Sequence, residues 1–111
     1  MNRSRNDRLQ GTLDLLVLKT LKSQGRMHGY GITLHIQHSS RDVLRIEEGS
    51  LYPALRRMEE AGWIEAEWDV TENRRRARYY RLTSEGERQF KEAQAAWARL
   101  TEAVASVLRD G

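Results

Sequence analysis

Six apolar residues near the end of the chain, Phe90, Ala93, Trp97, Leu100, Val104 and Val107, follow one another at spacings of 3, 4, 3, 4 and 3. That rhythm keeps one narrow apolar stripe on an α-helix, the seam by which helices pair. Ser84-Glu85-Gly86-Glu87 fits a capping box ahead of it, with Thr83 as the alternative cap. A helix over residues 84–109 spans about 39 Å at 1.5 Å per residue. The residues before it are too few to cover such a length. The stripe therefore calls for a partner, most simply a second copy of the chain. At 111 residues there is room for one small domain and this arm, which leaves little interior for a deep catalytic pocket.

Ahead of the arm, Leu13, Leu16, Val17 and Leu21 recur at helical spacing. Thr12 is the expected N-cap after a mobile basic start, and Gly25 the expected stop. His28-Gly29-Tyr30-Gly31 reads as a loop into a second helix, with Ile32 and Ile36 on its core face and Ser39-Ser40 at its end. A third helix is expected over residues 49–61, stopped by Gly62, with Leu51, Leu55 and Met58 as its buried stripe. In this reading Pro53 falls in the first turn, where amide protons are unpaired anyway. Ser50, Tyr52, Arg56 and Arg57 project away from the stripe. The period then changes to two. Ile64, Ala66 and Trp68 alternate with Glu65 and Glu67, and an aromatic-rich run follows over residues 77–82. The pair reads as a hairpin with a long polar tip at residues 69–76. The result is a mainly α (α+β) fold: a winged helix-turn-helix head over residues 1–83 and a long C-terminal dimerisation helix over residues 84–111.

A chain that is 39% hydrophobic and 32% charged is too apolar to be disordered. Its net charge of +3 is unevenly spread: residues 71–81 carry five arginines against one acid, and residues 1–10 three against one. Such concentration is the footprint of contact with a polyanion. Asn73, Arg74, Arg75 and Arg76 at the hairpin tip suit phosphates or a narrow minor groove. A third helix of about 10–12 Å diameter fits a major groove about 12 Å wide. Tyr30 stands between two glycines, which either admit a phosphate close to the backbone or serve loop packing. Trp63 and Trp68 are expected to pack within the core or strands. Trp97 lies mid-seam, as dimer core or, with its copy, as the wall of a pocket for an aromatic or hydrophobic effector.

The absence of cysteine excludes disulfides and cysteine–zinc sites and fits a cytoplasmic protein. His28, His35 and His38 read as neutral surface histidines. Ser50 has no evident base, and no glycine-rich phosphate loop occurs. Neither an enzyme nor a bound metal or cofactor is expected. No stretch approaches the ~20 apolar residues of a membrane span, and the N-terminus does not read as a signal peptide. A winged-helix protein-interaction module is the competing reading. The basic wing favours double-stranded DNA, since a protein partner needs exposed apolar area.

The blocks Gly11-Thr12-Leu13-Asp14-Leu15-Leu16-Val17-Leu18, Met27-His28-Gly29-Tyr30-Gly31-Ile32 and Glu48-Gly49-Ser50-Leu51-Tyr52-Pro53-Ala54-Leu55 resemble those of the PadR family, the phenolic-acid-responsive type of transcriptional regulator. Gly62-Trp63-Ile64 and Arg76-Ala77-Arg78-Tyr79-Tyr80-Arg81-Leu82-Thr83 continue the match, which covers about residues 10–83. The chain is similar to the short-armed type, with a single C-terminal helix for dimerisation. The resemblance implies a homodimer on a pseudo-palindromic operator, usually a repressor, and a small-molecule or stress signal is the expected release. By motif, Tyr30 and Ser50-Leu51-Tyr52 match positions that contact DNA in the family, although periodicity buries Leu51. Arg56, Arg57 and the wing residues rest on charge alone.

Overall fold

The computed structural model describes residues 3–110, with side chains described from residue 11 onward. The basic side chains Arg3, Arg5 and Arg8 lie outside the described residues. Helix α1 runs Arg3–Gln24, so Thr12 is an interior residue and not its N-cap. The polar residues before Thr12 show no apolar period, and this is why periodicity starts the helix too late. After it come β1 (Met27–His28), α2 (Gly29–Ser39), α3 (Glu48–Glu60), β2 (Ile64–Val70), β3 (Arg76–Leu82) and α4 (Ser84–Arg109). No helix among the described residues is long and apolar enough to cross a membrane.

One core joins these elements. Val17, Leu18 and Leu21 of α1 meet Ile32 and Ile36 of α2, then Leu51, Ala54, Leu55 and Met58 of α3. Ile64, Tyr80 and Phe90 close it from β2, β3 and α4. Leu51 is thus a core residue. Phe90 is only 7% exposed in this same core, so it is not part of the free seam, which begins after it. Helix α3 ends with Trp63 N donating to the Met58 carbonyl and Gly62 N to that of Glu59. Gly62 takes φ +83° there, as this helix stop requires. Because α3 starts at Glu48, Pro53 is its sixth residue and lies beyond the first turn. The Gly49 carbonyl loses its helical donor, which an exposed face tolerates better than a buried one.

The strands form an antiparallel sheet in the order β1-β3-β2. Its register places Ile64, Ala66, Trp68 and Val70 opposite Leu82, Tyr80, Arg78 and Arg76 on one face. Glu65, Glu67 and Asp69 oppose Arg81, Tyr79 and Ala77 on the other. The tip is shorter than expected. Thr71 N donates to the Arg75 carbonyl at 2.8 Å and Arg74 N to that of Thr71 at 2.9 Å, which closes a loop of Glu72, Asn73 and Arg74. Arg76 is accordingly the first residue of β3. The hairpin outruns the core, so Trp68 is 59% exposed instead of half-buried.

Thr83 is the α4 N-cap, its hydroxyl accepting from Gly86 N at 3.0 Å. The arm overshoots the head, and the molecule measures 55 × 30 × 29 Å along its principal axes. Beyond Ala93, which is half-buried, Trp97, Leu100, Val104 and Val107 are exposed.

Candidate nucleic-acid interface

Tyr30 does not sit in a loop. Helix α2 starts at Gly29, with His28 as N-cap accepting from Gly31 N through Nδ1 at 2.9 Å. Tyr30 therefore projects from a first helical turn, 58% exposed. The flanking glycines are explained by packing. A Cβ at Gly29 would stand 2.8 Å from the Tyr52 hydroxyl, and one at Gly31 would stand 2.9 Å from Met27 Cγ. The Tyr52 ring thus lies against the start of α2, where it ties two helices together while 44% exposed. Burial, with the Glu48 carboxylate nearby, raises the Tyr52 phenol above its ordinary value, so it stays a neutral donor.

A cleft of about 690 Å³ opens between α2, α3 and the wing. Tyr30, Tyr52, Asn73, Arg75 and Arg76 all line it, so the fold brings five sequence-predicted residues to one place. The cleft also takes in Trp68, which sequence reasoning left without a role. Arg76 lies over the Trp68 ring at 4.9 Å, a cation–π contact that holds the guanidinium out along the wing. The register explains the contact: Trp68 stands opposite Arg78 and shares its face with Val70, which stands opposite Arg76. Arg74 occupies the tip at φ 62°, a conformation few non-glycine residues adopt.

The remaining predicted residues part company around α3. At about 100° per residue, Arg56 falls near the middle of the exposed arc, with Tyr52 on one flank and Ser50 and Arg57 on the other. Ser50 is exposed and lines a second depression of about 690 Å³ with Leu13, Arg45 and Pro53. Arg57 departs from expectation. Its guanidinium donates twice to Asp14 of α1, both bonds at 2.8 Å, and the carboxylate raises its pKa further. A group so engaged is not a free phosphate ligand.

The same pairing thins the charge of the hairpin. Arg78 donates twice to Glu59 at 3.0 Å, and Arg81 bonds Glu65. Arg26 bridges Glu67 and Asp69 and covers the Tyr79 ring at 4.2 Å. Among the described residues, Arg56, Arg74, Arg75 and Arg76 enter no ion pair, while Arg57, Arg78 and Arg81 do. Of the described arginines on α3 and the hairpin, those without an ion pair are Arg56 on the exposed face of α3 and Arg74 to Arg76 at the wing tip.

The model of the PadR-like family of transcriptional regulators matches residues 17–92. The chain belongs to the PadR-like family. A transcriptional regulator from Clostridium thermocellum superposes with a TM-score of 0.80 at 29% identity, over 90% of this chain and 96% of that one. A PadR family transcriptional regulator from Eggerthella lenta is 33% identical with a TM-score of 0.77, over 98% and 93% of the two chains. An uncharacterised protein of Lysinibacillus sphaericus is 33% identical over 101 residues, 90% of this chain and 91% of its own. Membership makes this PadR-like chain a DNA-binding transcriptional regulator with the winged-helix fold of its relatives, and not an enzyme.

Proposed function

We propose that the chain represses transcription as a homodimer on a pseudo-palindromic operator and is released by a small-molecule or stress signal. The observation that carries this reading is the division of the α3 and hairpin arginines into paired and unpaired ones. Arg56, Arg74, Arg75 and Arg76 keep their charge for a partner, beside a cleft between the exposed helix α3 and the wing. Helix α3 enters the major groove with Arg56 toward the base edges, while the wing tip meets phosphates or the adjacent minor groove. Tyr30 and Tyr52 supply polar contacts between them, and Ser50 reaches the backbone on the far flank.

Dimerisation follows from the arm. Ala93, Trp97, Leu100, Val104 and Val107 present an apolar stripe that a second α4 covers. The two arms then hold the heads about one helical turn, ~34 Å, apart. Trp97 lines a groove of about 220 Å³ with Leu15 and Leu100. Two copies of it wall a site for a flat apolar effector, whose binding shifts the population toward misplaced heads.

Fluorescence anisotropy with the protein's own promoter, run at several salt concentrations, tests DNA recognition. Tight, strongly salt-dependent binding is expected, and absent or salt-insensitive binding overturns the reading. Light scattering on the parent and Leu100→Glu tests the dimer, which the variant should dissociate.

A further inference from the structure

Helix α3 is gripped from two sides by forked ion pairs. On one flank Arg57 holds Asp14 of α1 through two 2.8 Å bonds. On the other, Glu59 accepts two 3.0 Å bonds from Arg78 of β3. Residues 57 and 59 are about 200° apart around the helix, so the pairs oppose each other. A guanidinium–carboxylate fork fixes orientation as well as distance, which a single bond or an apolar contact does not. Asp14 is only 8% exposed, but the Arg57 side chain is 40% exposed, and an ion pair with one partner open to solvent adds little stability. What it supplies here is alignment. Helix α1 meanwhile lies along the arm: Leu15 lines the groove with Trp97 and Leu100, and Lys22 bonds Glu87.

We infer that Asp14 and Arg57 form a positioning joint that sets the angle of α3 to α1, and through α1 to the dimer arm. Arg57 is then not a DNA contact, although it adjoins Arg56, which is. The inference rests on the DNA-binding reading above. Its mechanical content does not: motion of α4 carries α1, and the fork converts that motion into rotation of α3.

Two experiments on the full chain test it. The first measures promoter binding of Asp14→Asn, Arg57→Gln, Arg57→Lys and the Asp14→Asn/Arg57→Gln double variant across salt concentrations, with the parent as the check on DNA binding itself. Each single variant is expected to bind about tenfold more weakly at the parent's salt slope, and the double variant no more weakly than either. Arg57→Lys, which keeps charge but loses the fork, is expected not to rescue. Two outcomes overturn the joint. Tighter binding by Asp14→Asn with a steeper slope means that Asp14 merely masks a phosphate ligand. A slope lower by about 0.9 per protomer in Arg57→Gln alone means that Arg57 contacts phosphate. The second experiment needs no DNA. The chain has no cysteine, so nitroxides at Ser23→Cys and Glu60→Cys report the α1–α3 distance within one chain, diluted in unlabelled protein. A narrow distribution that broadens in Asp14→Asn supports the joint, and an unchanged distribution refutes it.

Discussion

Arg74 stands where hairpins of this loop type favour glycine. The bonds from Arg74 N to the Thr71 carbonyl and from Thr71 N to that of Arg75 have the pattern of a type I turn followed by a left-handed residue. At φ 62° an L-residue sacrifices about 1–2 kcal/mol. Arg74→Gly relieves that strain and keeps both backbone bonds. It also returns freedom to the unfolded chain, which offsets about 0.4–1 kcal/mol. The net is a gain of about 0.5–1 kcal/mol, a rise in melting temperature of roughly 2–6 °C for a domain of this size. DNA binding should move the other way. Losing one phosphate-directed cation per protomer lowers the salt slope by about 0.9 per wing. Arg41→Gly is the control, since Arg41 has φ 54° in the α2–α3 turn and does not line the wing cleft. It should stabilise without changing the slope. Thermal melting and anisotropy on the three proteins make the comparison. If Arg74→Gly melts below the parent, or binds with the parent's slope, the argument that DNA contact retains a strained arginine is refuted.

Gly86→Ala should lower stability by about 1–3 kcal/mol, because its Cβ would overlap the Trp63 carbonyl oxygen and force α4 off the backbone that leads into β2; a melting temperature equal to the parent's refutes the packing argument. Trp68→Ala should leave melting unchanged and weaken promoter binding about threefold, the scale of an exposed cation–π contact that positions Arg76. In a Trp63→Phe/Trp97→Phe background, Trp68 emission should change on adding promoter DNA, and constant emission counts against its place at the interface. The Asp69 carboxyl is held below its ordinary value by the Val70 amide and Arg26, Glu85 by Arg88, and Glu87 by Lys22. Their folded values lie below the unfolded ones, so the stability they add is complete above the ordinary carboxylate range and is lost as pH falls through the lowered values. Melting temperatures should fall from pH 6 toward pH 3; a flat or rising series refutes the linkage.

The elements that one face of one segment defines were readable from sequence. The Leu51, Leu55 and Met58 stripe is buried as its spacing requires, and the two-residue period of Ile64 and Ala66 marks β2. Features set by what approaches from elsewhere in the chain were not. Gly-Tyr-Gly has the composition of a loop, yet the His28 cap and the Tyr52 ring make Gly29 the first residue of a helix. Trp68 has the composition of a buried strand residue, but the hairpin extends past the core that would have covered it. Phe90 fits the seam's spacing, and the head claims it because α4 begins against the sheet.

Charge shows most sharply why composition underdetermines a site. Arg56 and Arg57 are adjacent and chemically identical, and a count of basic residues treats them as one patch. A turn of about 100° separates their fates. Arg57 meets Asp14, 43 residues earlier in the chain, and is locked to α1, while Arg56 is left on the exposed arc. The hairpin repeats the division, with Arg78 and Arg81 spent on Glu59 and Glu65 and only the three arginines from Arg74 to Arg76 left over. In the proposed reading, the paired arginines of α3 and the hairpin hold the reading head in shape, and the unpaired ones there face the DNA. On that reading a substitution at either kind is expected to weaken binding, so affinity alone does not distinguish them. The salt slope does, because only a cation that displaces counterions from phosphate contributes to it.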